Sequence, residues 1–206
     1  MADRPIIFSA QMVRAILDGR KTQTRRALNQ QPPAGTQFVM FDRGRSMWMA
    51  SDQFGHGFLL KVPYAAGDTL WVRETWVRAW EMDEDGKPAT AEQTFYRADG
   101  EPFSHWDNGD GTTRDTVPWR PSIHMPRWAS RIALRVADVR VQRLQDISEE
   151  DARAEGVSPH SDRRNSEPHV ASYADLWNSL NSKRGLGWET NPWVAAISFE
   201  RVNTDG

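Results

Sequence analysis

The chain has 206 residues, a formal net charge of -2, a hydrophobic fraction of 38% and no cysteine. That length supports one well-buried core and is marginal for two. The missing thiols exclude disulfides, thiol chemistry and any cysteine-ligated zinc. Apolar content is concentrated in large rings, with Trp at 10 and Phe at 8, side chains that fill a core from few positions or stack on bases. The opening MADRPIIFSA carries no signal-peptide hydrophobic run, and nothing approaches the roughly 18 apolar residues of a membrane span. A cytoplasmic protein without a membrane partner is expected. Positive charge is mostly arginine, gathered in Arg14 to Arg26 and Arg120 to Arg143, while acidic residues crowd Glu81 to Asp115. A protein acidic overall can still offer an arginine-rich face; the same charges also fit ordinary solvated surface.

Along the chain, Ile6, Ile7 and Phe8 read as a short strand and Ser9 as a helix cap. Met12, Val13, Ile16 and Leu17 form an apolar stripe at helical spacing, closed by Gly19. Residues 28–56, rich in Gln, Pro, Gly and Met, read as a long loop. Phe58, Leu59, Leu60 and Val62 then suggest a strand, and Gly67-Asp68 a turn into a strand over Thr69 to Arg73. The acidic 81–115 stretch reads as an insertion or lid with one hairpin around Phe95-Tyr96. From Ile132, alternation runs through Leu134 and Val136 and resumes at Val139 and Val141 with its phase slipped by one. Such a slip suits a bend near Asp138 in a curved strand. Ser148 caps a short helix, residues 156–169 are polar loop, and Tyr173, Leu176, Trp177 and Leu180 mark a second amphipathic helix. Trp193, Ala195, Ile197 and Phe199 alternate as a closing strand. This order favours an α+β domain around a mostly antiparallel, barrel-like sheet. No GxGxxG, P-loop, HExxH or GxSxG occurs.

Three clusters can carry chemistry. The first, Gly19-Arg20-Lys21-Thr22-Gln23-Thr24-Arg25-Arg26, offers an ammonium, hydroxyls and guanidiniums suited to phosphate or a polarised carbonyl. Lys21 and Thr24 share a face if the segment is helical and diverge if it is a strand. The second, Trp71-Val72-Arg73-Glu74-Thr75-Trp76, puts a carboxylate at a strand end. There Glu74 could be a desolvated general base or the partner of a nearby arginine. Trp71 and Trp76 could wall a flat pocket or belong to the core. The third cluster runs from Trp119 to Trp128, and its two prolines are expected to hold His124 in extended backbone. His124, Arg127 and Trp128 could bind a base by hydrogen bonding and stacking. The remaining histidines, His56, His105, His160 and His169, lack metal-ligand spacing, so no metal site and no cofactor are expected.

Together, the segments GRKTQTRR, PYAAGDTLWVRETW, WRPSIHMPRWASRI and NPWVAAISF resemble the ASCH family, over about Pro5 to Arg201, in its phage and prophage-encoded form. The resemblance implies a single PUA-like domain over 1–206. Its fold would be a small, mostly antiparallel β-barrel flanked by helices, with insertions or loops at 28–56, 81–115 and 156–169. It also implies a site of Lys21, Thr24 and Glu74, with Arg25, Arg26, Arg73, Trp71, Trp76, His124, Arg127 and Trp128 as binding groups. The ligand would be a nucleoside, nucleobase or single-stranded RNA. Some members hydrolyse N4-acetylcytidine and others are described as ribonucleases. Thr24 could then attack an acyl carbonyl with Lys21 taking its proton, or Glu74 could activate water. A non-catalytic reader of RNA or modified bases is the alternative, and a phage structural or partner-binding role is a third.

Overall fold

A computed structural model of the chain describes residues 1–42, 47–82, 88–103, 106–107, 112–159, 161 and 168–202. Strand β1 (Asp3–Ile7) leads into helix α1 (Ala10–Leu17), followed by β2 (Gln23–Ala27), β3 (Thr36–Asp42), β4 (Met47–Asp52), β5 (Gly57–Leu60) and β6 (Thr69–Arg73). Next come β7 (Trp76–Met82), β8 (Pro88–Tyr96) and the two-residue strands β9 (Trp106–Asp107) and β10 (Thr113–Arg114). The long strand β11 (Ala133–Arg143), helices α2 (Glu149–Ala154) and α3 (Pro168–Asn181), and strand β12 (Trp193–Val202) complete the order.

The expected barrel is not formed. The strands lie in four open sheets: five strands ordered β1-β6-β11-β12-β2, three ordered β3-β4-β5, and the pairs β7-β8 and β9-β10. None closes or curls on itself among the described residues, and the largest ends on β1 and β2. Closure requires the outermost strands to pair, and alternation along a single strand carries no record of which strands are outermost. The phase slip itself is real. In β11, Leu134 and Val136 are buried, Ala137 and Asp138 are both exposed, and burial resumes at Val139 and Val141.

Packing divides the chain into two units, each interleaved along the sequence. The first comprises Met1, Gly19–Asp68 and Arg135–Glu200. Here β2 pairs antiparallel with β12, Thr24 opposite Ile197 and Arg25 opposite Ala196. Five consecutive residues of β12, Trp193 to Ile197, are buried, which is why alanines occupy its centre. Tyr173 and Trp177, one helical turn apart on α3, pack with Leu144, Ile147, Ala152 and Val194, whereas Leu180 at the end of the same helix is exposed. Residues 28–56, expected as loop, hold β3 and β4, paired antiparallel with Phe41 opposite Trp48. The Gln, Pro and Gly density of that segment masked strands built on Val39, Phe41 and Trp48.

The second unit comprises Ala2–Asp18, Thr69–Leu134 and Arg201–Gly206. Its β1 and β6 pair in parallel, Ile6 opposite Val72. Helix α1 starts on Ser9, whose hydroxyl accepts from the Met12 amide. The hairpin expected at Phe95-Tyr96 is the far arm of the longer β7-β8 hairpin, Trp76 opposite Tyr96. Residues 83–87, 104–105 and 108–111 of the 81–115 stretch, and 160 and 162–167 of the 156–169 stretch, lie outside the described residues, including His105 and His160.

Candidate functional site

The GRKTQTRR box straddles the entry to β2, so it is strand rather than helix from Gln23 onward. Lys21 forms an isolated antiparallel bridge with Glu155, the residue that ends α2. The residue is 2% exposed, and its ammonium donates to Gln23 O at 2.8 Å, Glu155 O at 2.9 Å and Glu155 Oε2 at 2.8 Å. Arg25, equally buried, donates to Glu155 Oε1 at 3.2 Å and to Asp151 Oδ2 at 2.7 Å. The amide of Gln23 reaches Asp151 Oδ1 and Ser198 Oγ. Helix α2 thus aims two carboxylates, four residues apart on one face, at the box. Thr24 is buried between these cations in sequence, and Arg26 is half-buried. Burial lowers the Lys21 pKa, Glu155 opposes that shift, and Arg26 and Arg25 add to it.

Glu74, between β6 and β7, is fully buried, with its amide against Met125 Sδ. Its carboxylate accepts from Arg131 Nε at 3.0 Å and Nη2 at 3.2 Å. Arg131 also donates to both oxygens of Asp99, at 2.7 and 2.9 Å, and its guanidinium lies 4.0 Å from the Tyr96 ring centroid. Burial pushes the Glu74 carboxyl above its usual range and the two Arg131 contacts pull against it, while Asp99 adds to the rise. The second of the sequence alternatives for Glu74, an arginine partner, is therefore realised with Arg131, 57 residues away.

On the same unit, tryptophans and arginines interleave. The Arg73 and Arg127 guanidiniums sit 5.5 and 5.9 Å from the Trp71 ring centroid, Arg78 sits 5.3 Å from that of Trp128, and Arg120 sits 5.2 Å from that of Trp76. Trp76 and Trp128 meet edge to face at 5.8 Å. Trp76 is core, packed with Met125, Ala129 and Tyr96, whereas Trp128 is 63% exposed. Arg127 pairs with Asp3, and an Nη of Arg73 donates to Ile123 O. Three buried donors of this face, Arg73 Nε, Trp76 Nε1 and Arg78 Nε, have no acceptor among the described residues.

His124 departs from expectation. It is exposed and closes a 3-10 turn over Ser122–His124, its amide donating to Pro121 O, instead of lying extended. Proline restricts the residue before it, which for Pro126 is Met125, and Met125 is indeed extended at φ -72, ψ 122.

Sequence reasoning missed Glu155, Asp151, Arg131, Asp99 and Tyr96. Asp151 was visible only as part of an acidic helix start. Nothing local to the others announces a partner far along the chain. Among the described residues, no group of three or more His, Asp or Glu could hold a metal ion, and no helix is long and apolar enough to cross a membrane. A separate groove in the first unit, lined by Phe41, Trp48, Leu59, Lys61 and Tyr64, includes none of the candidate residues.

No protein-family model matches the chain, and no curated protein does. Among solved structures, it is similar to an Enterococcus faecalis protein of the DUF984 family, at 13% identity and a TM-score of 0.41 over 98% of this chain and 80% of that one. It is also similar to an ASCH domain from Lactobacillus crispatus, at 12% identity and a TM-score of 0.40 over 97% of this chain and 79% of that one.

Proposed function

We propose that this chain is a cytoplasmic ASCH-type protein of the phage and prophage kind. In this reading it binds a nucleobase, nucleoside or single-stranded RNA through the tryptophan and arginine face of its second unit. The observation that carries the reading is the exposed indole of Trp128 with the Arg78 guanidinium 5.3 Å from its ring centroid. Trp128, 63% exposed, offers the stacking surface that any base can use. Arg78 lies over this ring, and Arg73, Arg120 and Arg127 lie over the Trp71 and Trp76 rings of the same unit, adding positive charge. His124, exposed beside Arg127 in sequence, is a further contact for a base edge.

A second reading, hydrolysis of an N4-acylated cytidine or of RNA, draws on two separate observations, one in each unit. Burial moves the Lys21 ammonium down and the Glu74 carboxyl up, each toward its neutral form, as acid–base groups require. Arg25 and Arg26 would then steady developing negative charge. Incubation with N4-acylated cytidines and with single-stranded RNA, followed by chromatography, separates the two. Ligand that co-elutes with the protein intact favours the binder. Release of cytidine or RNA fragments that vanishes in Glu74→Ala favours the hydrolase, and neither outcome leaves both readings without a ligand.

A further inference from the structure

One face of strand β7 runs from the core into solvent. Along it Trp76 is 2% exposed, Arg78 is half-buried and Trp80 is 47% exposed. These alternate residues share a side of the β7-β8 hairpin, and the buried Val77 and Ala79 point to the other. Register carries the face across to β8, with Tyr96 opposite Trp76, Thr94 opposite Arg78 and Glu92 opposite Trp80. Arg78 accordingly meets Glu92 on the diagonal, Nη2 to Oε2 at 3.0 Å. Trp128 joins this face from outside the hairpin. It meets Trp76 edge to face at 5.8 Å, and the Arg78 guanidinium lies 5.3 Å from its ring centroid. Two exposed indoles, Trp128 and Trp80, therefore belong to the face that carries Arg78.

We propose that this face takes at least two bases of one RNA strand, with Trp80 as a second stacking residue beside Trp128. The proposal rests on the binder reading above and narrows its ligand from a free base or nucleoside to an oligonucleotide. Trp80 stands two residues beyond Arg78, roughly 7 Å further along the strand. It therefore lies one row past the point where Trp128 meets the hairpin, a place for a second base rather than for the same one. Rings set along a strand's path hold successive bases whatever their sequence, because every base has a flat face. The charges agree with this. Glu92 balances Arg78 and Asp3 balances Arg127, so stacking supplies more of the affinity than phosphate neutralisation. Arg120, exposed and 5.2 Å from the Trp76 ring centroid, places a cation for the backbone at the inner end of the face.

The test is isothermal titration calorimetry of the whole chain with an adenylate octamer and with adenosine monophosphate. Wild type is compared with Trp80→Ala, Trp80→Phe and Trp128→Ala, and circular dichroism reports whether each variant is folded. The octamer should bind wild type more tightly than the monophosphate does. Trp80→Ala should weaken octamer binding about tenfold or more, as loss of one stacked base does, and Trp80→Phe should recover most of that loss. An octamer that binds no more tightly than the monophosphate overturns the proposal. So does octamer affinity that falls in Trp128→Ala but is unchanged in Trp80→Ala, a result that leaves the binder reading standing with a single-base site. Wild type that binds no octamer, or binds it indifferently to Trp128→Ala, removes the binder reading and the proposal together. A face built for a protein partner would give that last result.

Discussion

Arg131 grips Glu74 in a two-point fork, Nε to Oε1 at 3.0 Å and Nη2 to Oε2 at 3.2 Å, and spends its remaining edge on Asp99. Glu74 is fully buried, and the Arg131 side chain is 26% exposed. The fork is therefore what makes a buried carboxylate tolerable.

Removing that partner should be costly. Arg131→Ala strands a buried acid, and a loss of about 3 kcal/mol is expected in urea unfolding at neutral pH. The penalty should depend on pH. Burial already raises the Glu74 pKa from 4.5, and Arg131 is the chief force opposing that rise. Without Arg131 the folded protein must hold Glu74 protonated. A group whose folded pKa is raised loses its stabilising contribution as pH climbs through that value. The deficit of Arg131→Ala should shrink toward pH 4.5 and grow above it; a pH-independent deficit would show that Glu74 is not the stranded group.

Asp151 works in the opposite sense. Burial raises its carboxyl, but Arg25, Gln23 and Arg140 outweigh burial and hold it below the usual 3.8. The stability it contributes is present above pH 3.8 and is lost as pH falls through the lower folded value. Asp151→Asn should cost about 1–2 kcal/mol at neutral pH and nearly nothing in strong acid. Paired acid titrations followed by circular dichroism measure the difference.

Much of this chain's local structure was legible, and its long-range pairing was not. Ser9 and Ser148 announced their helices because a cap is read within four residues. The slip at Asp138 was visible because burial in β11 follows side-chain parity. The openness of the sheet, the strands inside 28–56 and the two ion clusters were invisible for a shared reason. Each depends on which distant segment lies alongside, as Lys21 meets Glu155 and Glu74 meets Arg131. The candidate residues Lys21 and Glu74 were found as chemistry-bearing side chains, but their counter-ions were not. His124 was misread because a proline rule reaching one residue back was extended to two.

Helix α3 begins on a borrowed cap. Glu149 accepts from the His169 amide at 2.8 Å and the Val170 amide at 3.0 Å, and pairs with His169 Nδ1 at 2.6 Å. Glu149→Ala should lower stability by about 1 kcal/mol, the usual worth of an N-terminal cap. Amide exchange should quicken at the start of α3 and not at Trp177. A uniform loss of protection would mean that the contact holds α2 as well.

The most direct test of the central claim is an anisotropy titration of a labelled single-stranded oligoribonucleotide with wild-type protein and with Trp128→Ala. Trp128 is 63% exposed, so its removal should leave the unfolding midpoint nearly unchanged. Saturable wild-type binding is predicted, weakened about tenfold or more in Trp128→Ala through loss of base stacking. No wild-type binding, or equal affinity in both proteins, would contradict the account.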